Sequence, residues 1–340
     1  MRSFLDLFAE AVGRGATDLH VTAGEPAILR VHGRLERLAS VVSAEDLESF
    51  LEEVAGERKL EGWRRGEEVD ASFAAPGGGR FRLHFYRSLG RTSLAARRLQ
   101  EEIPELESLG LPARVEEWLA YRDGLVLVTG PTGSGKSTTL AALVERMNRT
   151  ERRHIVTLED PVEYVFVEKR SVIHQREFGL DFTDFSKALR ATLRQDPDVI
   201  LVGEMRDLET IRTALTAAET GHLVLATLHT NDAAQTIDRI VDVFPPEQQR
   251  QIRVELAATL RSVLSQRLLP RAGGRGLVLV AELLVNTPAV KNLIRQGNTH
   301  QIPTLLETGR ALGMQSFRQD IEEKLRAGLL DPEVAALYLP

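Results

Sequence analysis

Nine residues, Gly130, Pro131, Thr132, Gly133, Ser134, Gly135, Lys136, Ser137 and Thr138, read GPTGSGKST and satisfy the spacing G-x-x-x-x-G-K-[ST]. They follow the apolar run Leu125–Val128 and precede TTLAALVERM, which has helical spacing. In a strand–loop–helix setting the glycines let backbone amides turn inward around phosphate oxygens. The N-terminus of the following helix adds its partial positive charge. Lys136 is then expected to reach the β and γ phosphates of ATP, and Ser137 to hold Mg²⁺ through its hydroxyl. A chance glycine-rich loop would leave both the complete motif and its flanks unexplained.

A second apolar run, Val199–Val202, ends in Gly203-Glu204. Most P-loop enzymes carry a magnesium-binding aspartate where Gly203 stands. Glu204 still ends a strand beside a P-loop, where an acid can orient an attacking water. Its plain alternative is a cap for the helix LETIRTALTAAE. The segment TLEDPVE places Glu159, Asp160 and Glu163 within one turn of chain. Three acids there can bind metal-held water or polarise a nucleophile. Equally, Asp160-Pro161 reads as an N-cap followed by proline at the first helical position. His222 and His229 stand seven residues apart across a strand. Such a span exceeds about 20 Å, so they are no metal pair. His229, at the carboxyl end, can hydrogen-bond a phosphate or a catalytic acid; His222 fits a subunit or domain contact better.

Phosphoryl transfer needs positive charge beyond Lys136, which an arginine from another domain or subunit can supply. The candidates are Arg80, Arg82 and Arg97, with Arg190, Arg194, Arg206 and Arg239 behind them. Surface arginine is the plain alternative for each.

The elements that must hold these groups follow from patterning. From Leu125 onward, LVLVTG, HIVTLED, DVILVGE and LVLATLH alternate with helical stretches, the βαβ rhythm of a mostly parallel sheet. Residues 1–100 alternate short strands and helices and read as a small α+β domain. Leu5, Phe8 and Val12 keep helical spacing, and DLHVTAG and AILRVHGRL read as strands around a Gly-Glu-Pro turn. VDASF and RFRLHFYR flank PGGG as a hairpin, with Phe81, Leu83 and Phe85 on one face and Arg80, Arg82 and His84 on the other. Residues 101–112, EEIPELESLGLP, read as a linker. The remainder, 113–340, forms the larger domain. After about residue 246 the chain reads as helical apart from one strand, LVLVAELLV, which contains Glu282; Leu256, Leu260, Val263 and Leu264 keep helical spacing.

Composition bounds the partners. The 340 residues carry 43% hydrophobic and 27% charged residues and a net charge of −6, ordinary for a globular protein of about two domains. No basic run tracks a phosphate backbone, so no nucleic-acid partner is expected. Without cysteine, disulfides and thiolate zinc sites are excluded. The N-terminus lacks the apolar core and cleavage site of a signal peptide, and no run of 18 apolar residues calls for a transmembrane segment.

The four segments resemble the Walker A, Asp box, atypical Walker B and His box of the hexameric ATPases that drive type II secretion and type IV pili. The glycine before Glu204 belongs to that signature. The tail, AVKNLIR (Ala289–Arg295) followed by ETGRALGMQSF, is similar to the motifs AIRNLIR and GMQ of the PilT-type pilus retraction ATPases, departing at Val290 and Lys291. Extension and type II secretion ATPases commonly carry a longer N-terminal region and a tetracysteine zinc site, and this sequence has neither. The resemblance implies a RecA-like P-loop ATPase domain with a helical C-terminal region (about 270–340), preceded by a PAS-like domain. It implies Mg²⁺ held by Ser137 with Glu159, Asp160 and waters, and Glu204 as the catalytic or water-orienting acid, with Glu163 and His229 beside it. Arg82 and Arg97 match the arginines that approach nucleotide in that family. A homohexameric cytoplasmic ring is implied, peripheral at the inner face of the inner membrane. ATP would bind between the two domains of one chain, and the ring would act on an inner-membrane platform protein (PilC-like). The alternatives are a pilus-assembly or type II secretion ATPase of the same superfamily, a DNA-translocating ring, and a non-catalytic nucleotide-binding scaffold.

Overall fold

A computed structural model describes residues 4–31, 33–75, 78–99, 102–274 and 276–338. His32, Pro76 and Gly77 of the PGGG turn, and residues 100–101 where the proposed linker begins lie outside the described residues. Contacts divide the chain into two units, and not contiguously: Met1–Ile103, Glu159–Val165 and Gln175–Thr183 form one, and Pro104–Leu158, Phe166–His174 and Asp184–Pro340 the other.

The first unit holds α1 (Asp6–Gly13), β1 (Ala16–Thr22), β2 (Pro26–Val31), β3 (Arg34–Val41), α2 (Ala44–Val54), α3 (Glu57–Arg64), β4 (Val69–Ala74), β5 (Arg80–Ser88) and β6 (Arg91–Arg98). The strands form an antiparallel sheet in the order β3-β2-β1-β6-β5-β4. The period of two in β5 is followed: Phe81, Leu83 and Phe85 are fully buried, whereas Arg82 is exposed. Phe8 of α1 meets Phe50, Phe73 and Phe81 with ring centroids 4.9–5.5 Å apart. Burying each such ring is worth about 2 kcal/mol. Ser43 starts α2 by accepting the Asp46 amide at 3.0 Å, the expected N-cap.

The two later segments are tied into this unit by Glu177. Its buried carboxylate accepts the Ser72 hydroxyl at 3.0 and 2.9 Å, Arg80 at 3.3 Å and the Val162 amide at 3.1 Å. A buried carboxylate is tolerated only when paired and hydrogen-bonded in this way.

The second unit is built on β7 (Gly124–Thr129), α4 (Lys136–Thr150), β8 (His154–Glu159, all but its last residue), the first half of β9 (Val172–Glu177), α5 (Phe185–Thr192), β10 (Val199–Val202), α6 (Leu208–Glu219), β11 (Leu223–Leu228), α7 (Ala233–Asp242), α8 (Pro246–Thr259), β12 (Leu260–Pro270), β13 (Leu277–Val285), α9 (Pro288–Gln296), α10 (Ile302–Thr308), α11 (Phe317–Arg326) and α12 (Pro332–Ala336). The sheet order is β13-β12-β7-β11-β10-β8-β9. The pairs β12–β7, β7–β11, β11–β10 and β10–β8 are parallel, and β12–β13 is antiparallel. Every residue of β7, β10 and β11 is buried, as expected of parallel strands covered on both faces. This is the α/β architecture anticipated from the alternating pattern.

Two readings are corrected. Leu260, Val263 and Leu264 are not helical: α8 ends at Thr259 and they lie in β12. The run 260–270 is apolar enough to satisfy either period. Pairing with β7 on one side and β13 on the other satisfies both backbone edges and decides for the strand. Nor does a helix start at Asp160. The Asp160–Pro161 peptide is cis, the Val162 amide goes to Glu177, and the Tyr164 carbonyl accepts from Gln175 at 2.7 Å. The backbone groups of a first helical turn are therefore taken by side chains of β9. Within residues 101–112, Leu106–Leu109 form a 3-10 turn with Leu106 buried.

Candidate functional site

The site grows from the carboxyl ends of three adjacent parallel strands. Pairing sets Thr129 at the end of β7 against Leu228 at the end of β11, and Ala226 against Val202 at the end of β10. The P-loop, His229 and Gly203-Glu204 therefore leave the sheet side by side, the usual place for ligands in such sheets.

The P-loop wraps through three left-handed glycines, Gly130 (φ +142°), Gly133 (+80°) and Gly135 (+87°). Gly130 is also sterically fixed, because a Cβ there would lie 2.3 Å from the Gln266 carbonyl of β12. The strand that helical spacing concealed thus braces the first turn of the loop. The Gln266 side chain donates to the Thr139 hydroxyl at 2.7 Å. Lys136, the first residue of α4, folds its ammonium back onto the carbonyls of Gly130 and Pro131 at 2.8 and 3.1 Å. The Ser134 hydroxyl is buried without a hydrogen-bond partner among the described residues. A cation held over the loop and an unsatisfied hydroxyl within it suit an incoming polyphosphate. Ser137 is exposed on the first turn of α4, where a hydroxyl can face a metal ion.

Glu204 is half-buried. One carboxylate oxygen accepts Arg206 at 2.8 Å and lies 3.5 Å from His229 Nε2. It is not a helix cap: Asp207 caps α6 by accepting the Thr210 amide at 2.8 Å. Gly203 is held by a hydrogen bond from its amide to Leu158, 2.8 Å, and by one from the Thr227 hydroxyl to its carbonyl. Glu204 is thereby fixed at its root while its head stays accessible. His222, at the other end of β11, turns back to the Ala217 carbonyl of α6 at 3.1 Å. Arg190 lies 3.6 Å from Glu209, Arg194 falls beyond the end of α5, and Arg239 sits in the last turn of α7.

The structure sorts the remaining candidates into the first unit. Glu159 closes β8, where Gln175 reaches its carboxylate at 3.3 Å, and Asp160 and Glu163 follow. Arg82 and Arg97 are directly opposed on β5 and β6. Arg82 lies 3.9 Å from Asp70. Arg97 donates to Asp18 at 2.9 Å and remains 74% exposed. Burial would push the Asp18 carboxyl up, but hydrogen bonds from Arg97 and Thr17 and the Arg97 charge hold it below the ordinary value. Arg80 donates to Ser72 at 3.0 Å and to the buried Glu177 at 3.3 Å, and is the least exposed of the three arginines.

Two groups escaped sequence reasoning. Glu177 bonds residues far from it along the chain, and no local pattern marks it. Glu282 did carry a signal, an acid in a wholly apolar run, and it proves to be 7% exposed on β13.

Comparison with known proteins places these features in a family. A family model described as type II/IV secretion system protein matches residues 4–335. The chain is 46% identical over 326 residues to an Escherichia coli K12 protein called YggR, covering 96% of this chain and 99% of the relative. It is 43% identical over 331 residues to the type IV pilus retraction ATPase PilT of Pseudomonas aeruginosa, covering 97% and 96%. The solved structure of a pilus retraction motor PilT with bound ADP superposes with a TM-score of 0.90 at 45% identity, covering 100% of this chain and 98% of that one.

Proposed function

The chain belongs to the type II/IV secretion system protein family and is a P-loop ATPase, and on that premise we propose that it powers type IV pilus retraction. The observation that carries the proposal is likeness over the whole length to a retraction ATPase, at 43% identity with 97% and 96% coverage. The absence of cysteine and the AVKNLIR segment support it. That segment is α9, with Val290, Leu293 and Ile294 buried and Asn292 and Arg295 turned outward. The packed face of an ordinary amphipathic helix accounts for the former. The outward polar face is left for a partner of the motor.

In this reading the P-loop amides and Lys136 bind the phosphates, and Ser137, with Glu159 and Asp160, holds Mg²⁺. Bound Mg²⁺ would neutralise charge on the β and γ phosphates. Glu204 orients the attacking water, His229 and Glu163 assist it, and Arg82 and Arg97 supply charge to the transferring phosphoryl group. The working form is a homohexamer at the inner face of the inner membrane, acting on a platform protein. Residues 101–112 are its hinge, and 1–100 its PAS-like domain. No described helix is long and apolar enough to cross a membrane.

The direction of work is tested by counting surface pili in a host lacking the gene, complemented with the wild-type or the Lys136→Ala gene. Excess pili with lost twitching, restored by the wild-type copy alone, are expected. Bald cells would overturn retraction in favour of assembly.

A further inference from the structure

Glu282 lies at the end of a buried polar row that begins at the root of the P-loop. Thr129, the residue before Gly130, donates its hydroxyl to Ser265 at 3.0 Å. Ser265 is opposite Thr129 in one register and opposite Glu282 in the other. Directly opposed residues share a face of a sheet, so β7, β12 and β13 present Thr129, Ser265 and Glu282 in line. All three are buried. From there Glu282 Oε1 accepts the amide of Ala233 at 2.8 Å. Ala233 opens α7, next to its N-cap Asp232, and stands four residues after His229. The short link from His229 to α7 is pinned a second time where the hydroxyls of Thr230 and Thr236 meet at 2.7 Å.

We propose that Glu282 is a positioning residue for ATP hydrolysis: by holding the N-terminus of α7 it sets His229 against Glu204, and it holds more firmly when ionised. Its hydrogen bond goes to the Ala233 amide, so its influence runs through α7 and the His229 loop. An ionised acceptor forms a hydrogen bond roughly twice as strong as a neutral one, and a helix N-terminus favours negative charge. Burial pushes the carboxyl up to about 7, with the Ala233 hydrogen bond working against it. The charged groups facing it are Asp232 of α7 and Glu307 of α10, which raise it further, and Arg267 of β12, which lowers it. The grip would therefore change as pH passes through about 7.

The inference rests on Glu204 and His229 being the hydrolytic pair. The test uses the full chain with Mg-ATP, comparing wild type, Glu282→Gln and Glu282→Ala from about pH 5.5 to 8.5. Wild-type kcat should rise through a step near 7. Glu282→Gln keeps a neutral acceptor and should hold the low-pH rate with no step. Glu282→Ala removes the acceptor and should lower kcat about tenfold at every pH, with KM for ATP within about twofold. A step that persists in Glu282→Gln, a wild type without one, or Glu282→Ala turning over normally would overturn the proposal. So would equal losses in kcat and KM with an unchanged profile, the mark of a merely structural role. Should Glu282→Ala lose its cooperative melting transition, the profile of Glu282→Gln decides alone. Glu204→Gln, run in parallel, separates the failures: if it still hydrolyses ATP, the site assignment falls, whereas a persistent step in Glu282→Gln sinks only the role of Glu282.

Discussion

Lys136 donates to two carbonyls of its own loop, at 2.8 and 3.1 Å, and a phosphate must replace those contacts with charged ones. Its value therefore lies in binding. Lys136→Ala should weaken ATP affinity by about 10- to 100-fold, read by titration with a fluorescent nucleotide. In the proposed mechanism Glu204 acts later, on the water, so Glu204→Gln should cut kcat by at least about 100-fold while nucleotide affinity stays within about twofold; normal turnover by that variant would remove the residue from its role. Glu282 makes a prediction about stability as well. Its folded value, about 7, lies above the ordinary 4.5, so the folded state binds the proton more tightly than the unfolded one. The cost of ionising it is absent below the ordinary value, grows as pH rises, and is complete above about 7, reaching about 3 kcal/mol. The melting temperature of Glu282→Gln should overtake that of wild type between acidic and mildly alkaline pH. Parallel curves would mean that the buried carboxyl does not ionise there.

At the scale of elements, β12 matters more than its position near the end of the chain suggests. It lies beside β7 and lays the Gln266 carbonyl where a side chain at Gly130 would have to go. Gly130→Ala faces that contact and a φ of +142° together, conditions only glycine meets easily. It should abolish ATP binding in an equilibrium titration while circular dichroism stays close to wild type. A second device is the junction where Glu177 gathers Ser72, Arg80 and the Val162 amide. Glu177→Ala leaves a part-buried arginine and a buried amide without their acceptor, which should cost about 2–4 kcal/mol. Limited proteolysis should then cut within residues 159–183 several-fold faster. Unchanged cleavage would mean that strand pairing alone holds the segments.

At the scale of the molecule, one chain supplies the P-loop sheet in its second unit, and Arg82, Arg97 and the acids of the Asp box in its first. The proposed motor is a ring of such chains. Light scattering with Mg-ATP should give a mass six times that of the 37.8 kDa chain. A monomer at every concentration would contradict the ring.

Local chemistry is legible in the amino-acid order. The P-loop was legible because its glycines, lysine and hydroxyl must be contiguous to surround a phosphate. The parallel sheet was legible because strands buried on both faces read as unbroken apolar runs. Features that depend on partners distant in the chain emerged only on folding. Residues 260–270 satisfy both periods, and only β7 and β13 made them a strand. Glu177, not a helix, claimed the amide after Asp160-Pro161. Arg80 resembled its neighbour Arg82 until a buried carboxylate took it. Glu282 was visible as an acid in an apolar run, but its partner, the amide of Ala233, lies 49 residues earlier. Side-chain periodicity records which face is buried; it carries no record of which distant polar group waits there.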